Sequence, residues 1–408
     1  MQKILVIGAG HGAGQLLDSL RRGGCEDSIT LLGEESWLPY QRPPLSKKFL
    51  SDELSQERLA FRPGNFYTRN QIDTRLSCRV VSLDRNTASV ELDTGEWLPF
   101  DRLAIATGAR VRVLPVPGAA LGGLHYLRDI DDARGLREDW ADRQEVCVIG
   151  GGFIGLEVAA SARALGKNVT VVEALDRLMA RAVSPAMSDF FLKTHVAHGT
   201  RVLLNAAVEE VLGDNGRVCA LRLADGRELP VDVVVVGIGV LPNQELAADA
   251  GLDCDNGVVV DEFAQTSDPR IVAFGDCSNH PNALLGRRLR LESVHNAVEQ
   301  ARTAAASLMG QKLAYNQVPW FWSDQFECKL QMVGLSEGCD RVVQRGSPEA
   351  GKFSLFCFRD EELLAVESLN SAADHMVGRK LLAARVYPSY QQAADQDFAL
   401  KTLLQPWH

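Results

Sequence analysis

Gly8, Gly10 and Gly12, with Ala13, lie in the run Gly8-Ala9-Gly10-His11-Gly12-Ala13, directly after the apolar stretch Lys3-Ile4-Leu5-Val6-Ile7. Gly150, Gly152 and Gly155 lie in Gly150-Gly151-Gly152-Phe153-Ile154-Gly155, after Val146-Cys147-Val148-Ile149. Glycines spaced this way between a strand and a helix permit a tight turn. They also let backbone N–H groups meet a pyrophosphate at the helix N-terminus. Ala13 takes the third glycine's place, which serves close helix–strand packing and tolerates alanine. The next strand-like stretch ends on Glu34 in the first case and on Glu173 in the second. A carboxylate there accepts hydrogen bonds from ribose hydroxyls; the plain alternative is a solvated strand-end charge. Two such sites in one chain imply two dinucleotides, and the usual chemistry is electron transfer from a nicotinamide to a flavin.

Glu173 also bears on the coenzyme. A carboxylate there repels the 2′-phosphate of NADPH and accepts from a 2′-hydroxyl. Ala174 and Leu175 follow it, not arginines, although Arg177 is near. The nine cysteines are scattered, with no C-x-x-C, which argues against a disulfide framework, a zinc site or a bound iron–sulfur cluster. Most read as small core residues, and a flavoenzyme relaying electrons through its own dithiol would need a close cysteine pair that the spacing does not offer. His195 and His198 are three apart on an expected helix and read as a solvated face rather than a half-built metal site. No metal is expected.

The elements that must position these residues fall into blocks. Residues 1–109 and 240–318 form one, 110–239 a second and 319–408 a third. The first holds a strand and hairpin turn over residues 87–96, and the second a helix start at Asp129 and a hairpin at residues 223–227. The third shows strand-like alternation, then a helical tail over residues 395–404. The chain has 408 residues, 46% hydrophobic and 24% charged, as expected of a globular protein of two or three domains. A net charge of −10 disfavours nucleic acid and anionic membrane as partners. No run approaches the ~18 apolar residues that span a bilayer. Met1-Gln2-Lys3-Ile4 enters the first strand directly, so no signal peptide is expected and the cytoplasm is the default.

Further motifs are Pro39-Tyr40-Gln41-Arg42-Pro43-Pro44-Leu45-Ser46-Lys47, Ala106-Thr107-Gly108-Ala109, Gly237-Ile238-Gly239-Val240-Leu241-Pro242-Asn243, Gly275-Asp276-Cys277, Leu291-Glu292-Ser293-Val294 and Pro319-Trp320-Phe321-Trp322-Ser323-Asp324-Gln325. With the fingerprints, they make the whole chain resemble the NADH-dependent ferredoxin reductases of bacterial oxygenase systems, of the putidaredoxin reductase and biphenyl-dioxygenase ferredoxin reductase type. The resemblance implies an α/β, glutathione-reductase-like fold: two Rossmann-type dinucleotide-binding domains and a C-terminal α+β domain. It gives FAD to residues 1–109 and 240–318 and NADH to residues 110–239. Gly8, Gly10, Gly12 and Glu34 would serve the FAD pyrophosphate and ribose, and Lys47 the flavin ring. Val80 and Arg128 would meet the adenine and phosphate parts, Asp276 the ribityl chain, and the Val294 backbone the pyrimidine end. Gly150, Gly152, Gly155, Glu173 and Gly239 would serve NADH. For Val80 plain strand filler is an even alternative; for Arg128 the plain alternative is a surface arginine, and for Asp276 a cap on the following turn, where the ligand reading is favoured because Gly275-Asp276 ends a strand.

In related flavoenzymes a lysine of the first domain pairs with a glutamate at the place of Glu157. Such an ammonium favours an anionic reduced flavin; the plain alternative is a structural ion pair. Lys47, Glu157 and Trp320 are the candidate catalytic residues. Trp320 and Trp322 share a strand face, so both meet the flavin edge and docking surface or both are core. The implied function is hydride transfer from NADH to FAD and single-electron transfer to an iron–sulfur ferredoxin that feeds an oxygenase. Arg302 and Lys329 are the docking candidates. The rivals are a rubredoxin reductase, an NADH oxidase or peroxidase, and an apoptosis-inducing-factor-like flavoprotein. Residues 37–49 lack the cysteine typical of the oxidases, and the chain lacks the basic surface typical of the last group.

Overall fold

The structure is a computed structural model that describes residues 1–405. It divides into two compact units. One comprises Met1–Arg42, Gln56–Arg110 and Val240–Pro319; the other comprises Pro43–Ser55, Val111–Gly239 and the chain from Trp320 onward. The short segment Pro43–Ser55 thus packs with the second unit although the sequence on both sides of it belongs to the first.

The first unit is built on a five-stranded parallel sheet in the order Ile271–Ala273, Arg102–Ile105, Lys3–Ile7, Ser28–Leu32, Ile72–Arg75. Lys3–Ile7 reads as a continuous apolar run because both its faces are covered: Ile4 and Val6 enter one core, Leu5 and Ile7 another. The helix His11–Arg22 packs through Ala13, Leu16, Leu17 and Leu20, one stripe at helical spacing. The second unit repeats the design in the order Arg201–Leu203, Asn168–Val172, Glu145–Ile149, Val233–Val236, Leu124–His125, again all parallel. Corresponding hydrogen bonds match, with Gly8 N–H to Leu32 O and Gly150 N–H to Val172 O both 2.8 Å. The expected hairpins are present in three-stranded antiparallel sheets, and Asp129 caps the helix Ile130–Trp140 in a capping box.

The C-terminal part is an antiparallel sheet in the order Trp320–Gln325, Cys328–Gly334, Glu362–Leu369, Lys352–Arg359, Arg341–Ser347, packed by the helix Ala372–Ala384. The expected helical tail over residues 395–404 is not one helix. A short helix, Tyr390–Ala394, ends at Asp395, and a 3-10 turn follows at Leu400–Leu404. The cysteines also differ from expectation, since four of the nine are fully buried and Cys219 is exposed. Cys339 and Cys357, 18 apart in sequence, are neighbours at this sheet; Cys339 Sγ donates to Arg341 O at 3.1 Å, and the nearby Cys357 thiol holds that of Cys339 below its usual range. Strand pairing brings them together, which no sequence spacing displayed.

His195 corrects another expectation. It is fully buried, and its Nε2 bonds Gln325 Oε1 at 2.9 Å. Burial pushes the imidazoles of His195, His280 and His375 down to about 4. Their unfolded value is about 6.5, so the stability that their neutral forms contribute is complete above that pH and is lost as pH falls toward the folded value. Glu367, whose carboxyl burial raises, works in the opposite sense and offsets part of this. Urea unfolding is expected to show a loss of roughly 3–6 kcal/mol between pH 7 and pH 5, from these three imidazoles and that of His11, likewise held down to about 4, at up to about 1.4 kcal/mol per pH unit each. A stability that is flat or rising over that interval contradicts it.

Candidate functional site

In the first unit Gly8 has φ +101°, and a Cβ there would lie 2.2 Å from the Ala106 carbonyl oxygen. The turn can therefore close only around glycine. Gly10 is the extended N-cap of the helix His11–Arg22, with no side-chain cap and open space where its Cβ would be. Free amides at a helix N-terminus beside a surface without a Cβ make a cradle that fits a pyrophosphate. Gly12 has another role: its Cβ would meet the Phe274 ring at 3.0 Å and Ala297 O at 3.3 Å, so its absence lets the helix pack closely.

Asp276 lies in the turn Gly275–Cys277, just past a strand end and half-buried. Val294 is the first residue of the 15-residue helix Val294–Leu308, where Ser293 caps Asn296 N–H at 3.1 Å. Its backbone therefore sits at a helix N-terminus. Val80 opens the strand Val80–Asp84, half-buried. Glu34 has a side chain 72% exposed, with Arg79 at 3.9 Å. The register shows an offset: Leu32 pairs with Ile7 as Val172 pairs with Ile149, so the counterpart of Glu173 is Gly33, and Glu34 lies one residue beyond.

Two residues of this cradle escaped the sequence reading. His11 stands between the fingerprint glycines where the second fingerprint has Phe153. Its Nδ1 is buried without a hydrogen bond. Burial and the Arg42 charge push its imidazole down to about 4, against the opposing pull of Asp276. Arg42 is held by Glu35 at 2.5 Å and Tyr40 Oη at 2.8 Å, with Tyr40 donating to Glu35 at 2.6 Å. A cation inside the Arg-Pro-Pro-Leu-Ser-Lys motif was the available signal.

In the second unit Gly150 has φ +105°, with a Cβ position 2.4 Å from Gly237 O, and Gly152 is an uncapped helix N-cap facing open space. At Gly155 a Cβ would lie 2.1 Å from Gly150 O, so this third glycine serves closeness of helix and turn. Glu173 accepts from Gly151 N–H at 2.7 Å and Leu175 N–H at 2.8 Å, which fixes its carboxylate beside the fingerprint. Arg177 spends its donors on Val183 O at 2.8 Å, Ser188 Oγ at 2.8 Å and Ala180 O at 2.5 Å. Gly239 has φ +103°, with the exposed Arg181 guanidinium 3.8 Å from its Cβ position. Arg128 also belongs to this unit, half-buried, with its N–H on Asp132 Oδ2 at 2.8 Å.

The same unit holds the charge pair. Lys47 Nζ lies 2.6 Å from Glu157 Oε2, with the side chains 19% and 3% exposed. Ser46 Oγ donates to Oε2 at 2.6 Å and Ser323 Oγ to Oε1 at 2.7 Å. Ser161 Oγ donates to Ser46 O at 2.8 Å, so the helix Phe153–Ala164 grips the segment Pro43–Ser55 at several points. A buried carboxylate survives only when paired and hydrogen-bonded, and Glu157 is both. Lys47 keeps the exposure that a ligand would need.

On the strand Trp320–Gln325, Phe321, Ser323 and Gln325 share one face and Trp320, Trp322 and Asp324 the other. The two indoles are 5.4 Å apart, and Trp320 also meets His375 at 5.5 Å and Arg379 at 5.2 Å on the helix Ala372–Ala384. Of the docking candidates, Lys329 is exposed on Cys328–Gly334, and Arg302, half-exposed, is paired with Glu299.

Two uncapped helix N-termini on two parallel sheets, each behind a glycine turn, define an oxidoreductase that binds two dinucleotides. Residues 2–301 match the family described as pyridine nucleotide-disulphide oxidoreductase, and residues 320–404 match the reductase C-terminal family. The chain belongs to the pyridine nucleotide-disulphide oxidoreductase family and has the fold expected from its sequence. It is 48% identical to rhodocoxin reductase of Rhodococcus erythropolis over 98% of this chain and 93% of that protein. It is 40% identical to a rubredoxin-NAD(+) reductase of Pseudomonas putida over 90% and 95%. The crystal structure of the ferredoxin reductase for the CYP199A2 system from Rhodopseudomonas palustris matches with TM-score 0.96 and 45% identity over 98% of this chain and 99% of that one. The reductase of a covalent putidaredoxin reductase–putidaredoxin complex matches with TM-score 0.95 and 37% identity, covering 99% and 98%. Among the described residues no helix is long and apolar enough to cross a membrane.

Proposed function

We propose that the chain is an FAD-dependent NADH:ferredoxin reductase that supplies electrons to an oxygenase through an iron–sulfur ferredoxin. The observation that carries the reading is the pair of matching cradles, at Gly8–Gly10 and Gly150–Gly152, in a chain that also holds the Lys47–Glu157 pair. FAD, when bound, accepts a hydride from NADH and gives up electrons singly. The chain's own residues bind and orient. The amides after Gly10 hold the FAD pyrophosphate, with Arg42 as a nearby cation, Asp276 takes the ribityl hydroxyls, and the Val294 N–H takes a flavin carbonyl. The amides after Gly152 hold the NADH pyrophosphate, and Glu173 takes the ribose hydroxyls. Glu157 fixes the Lys47 ammonium, whose charge favours the anionic reduced flavin. No side chain is asked to act as acid, base or nucleophile. Val80 and Arg128 stay assigned to FAD, Trp320 to the flavin edge, and Arg302 and Lys329 to the docking face. The proposed location is a reducing compartment, the cytoplasm, which suits nine unpaired cysteines.

Stopped-flow reduction by NADH, then reoxidation with a ferredoxin, a rubredoxin or oxygen, tests the reading. Fast reoxidation by ferredoxin alone is the expected result. Rubredoxin as the faster acceptor would move the chain to the reading that its rubredoxin-reductase relative represents. The same assay should favour NADH over NADPH by at least about 100-fold in kcat/KM, since a carboxylate facing a phosphate costs several kcal/mol. Glu173→Ala should shrink that ratio to about tenfold or less. Comparable kcat/KM for both coenzymes in the parent protein contradicts the role of Glu173.

A further inference from the structure

The Glu157 carboxylate is approached from a side that the proposed mechanism does not use. Ser323 and Gln325 are both fully buried on the face of the strand Trp320–Gln325 that carries Phe321, which packs on Phe153 of the Glu157 helix at 4.7 Å. Ser323 Oγ gives its one proton to Glu157 Oε1 at 2.7 Å and accepts from Gln325 Nε2 at 3.1 Å. Gln325 Oε1 lies 2.9 Å from His195 Nε2. Burial keeps the His195 ring neutral, so it carries a single N–H, and the acceptor opposite Nε2 assigns that proton to Nε2. Each link therefore donates in one direction: imidazole N–H to amide carbonyl, amide N–H to hydroxyl, hydroxyl to carboxylate. The Ser323 end fixes the amide: its one proton is committed to the Glu157 carboxylate, so turning Gln325 over would set the amide oxygen against the Ser323 oxygen with no proton between them. The chain thus has one consistent polarity, and it ends on the carboxylate that holds Lys47.

We propose that His195, Gln325 and Ser323 are positioning residues for the Lys47–Glu157 pair, fixing Glu157 Oε1 so that Oε2 stays aimed at the Lys47 ammonium. Hydrogen bonds in such a network polarise one another in a low-dielectric interior, so the carboxylate at its end is held in place. The inference rests on the reading that Lys47 serves the flavin. The residues lie on three separate elements, the helices Phe153–Ala164 and Pro185–Ala197 and the strand Trp320–Gln325.

The test uses FAD-loaded protein carrying Ser323→Ala, Ser323→Thr, Gln325→Met or Lys47→Ala. Two quantities are read: the rate of flavin reduction by NADH, and the flavin midpoint potential by spectroelectrochemistry. Ser323→Ala should slow reduction about 5- to 20-fold, leave the KM for NADH within twofold and move the potential negative; the fold-changes match the loss of a charge-assisted hydrogen bond. Gln325→Met should do the same more weakly, and Ser323→Thr, which keeps the hydroxyl, should restore both quantities. A Ser323→Ala protein with lowered melting temperature but parental rate and potential would make the chain purely structural and overturn the proposal. If Lys47→Ala moves rate and potential while Ser323→Ala does not, the positioning role fails and the reading of Lys47 stands. If Lys47→Ala moves neither, both fall.

Discussion

Gly8→Ala protein is expected to purify without flavin, while Gly150→Ala protein is expected to purify yellow but to be reduced by NADH at least about 100-fold less efficiently. Both glycines have φ near +100°, and at both the new Cβ would meet backbone, Ala106 O at 2.2 Å and Gly237 O at 2.4 Å. Backbone cannot swing aside as a side-chain tip can, so each turn must open. Strain of this kind is on the order of 1–3 kcal/mol. The larger effect is on the ligand. A displaced turn misaims the amides that follow it, and losing about 2.7 kcal/mol of pyrophosphate hydrogen bonding is a hundredfold in affinity. The measurements are the flavin-to-protein absorbance ratio and kcat/KM for NADH, with circular dichroism to confirm folding. Flavin retained in Gly8→Ala and lost in Gly150→Ala would exchange the assignment of the two dinucleotides.

Glu157→Leu is the second change with a large effect. Among the described residues it leaves the mostly buried Lys47 ammonium only Pro43 O, at 3.2 Å, as acceptor; it takes the acceptor of Ser323 Oγ and leaves Ser46 Oγ only Pro43 O, at 3.5 Å. Breaking such a pair is expected to cost about 2–4 kcal/mol in urea unfolding, somewhat less than for a fully buried pair because Lys47 keeps some water. Lys47→Met combined with Glu157→Leu should recover at least about half of that loss, since no uncompensated charge then remains. Flavin reduction should not recover with it, staying roughly 30-fold or more below the parent. A double variant that regains stability and full reduction rate together would make the pair a structural tie and no more.

Much of the site was legible because it is local. The fingerprint glycines, the strand-end Glu173 and the motif lysine announce themselves by type and spacing within a few residues. Spacing shows the period of an element but not what covers each face. The alternation over residues 320–325 separates Trp320 and Trp322 from Ser323 and Gln325, yet nothing local says that the second set meets Glu157, more than 160 residues earlier. His195 was misread for a different reason. Its neighbour His198 suggested a polar face, but Met187, Phe191 and His195 recur every four residues and mark the buried stripe. At Glu34 a single extra glycine after the strand shifts the acid past the place that Glu173 holds, which composition cannot reveal. The fold class followed from repeated strand–turn–helix patterns; the placement of Pro43–Ser55 did not, because its attachment runs through Ser46 and Lys47 to a distant helix.

The division of the chain has a consequence for its synthesis. The polypeptide passes between the two units five times. In the first unit the sheet is closed at one edge by Ile271–Ala273, which pairs with Arg102–Ile105. The ribosome must therefore have passed Ala273 before the cofactor-holding sheet can be completed. Pairings so distant in sequence form late and slowly. A nascent chain halted before Ile271 carries the glycine turn at Gly8 and the arginine at position 42, yet lacks Asp276 and the helix that begins at Val294. Flavin uptake thus waits until the helix Val294–Leu308 has been made, and up to that point the glycine turn stands without the residues that complete its site.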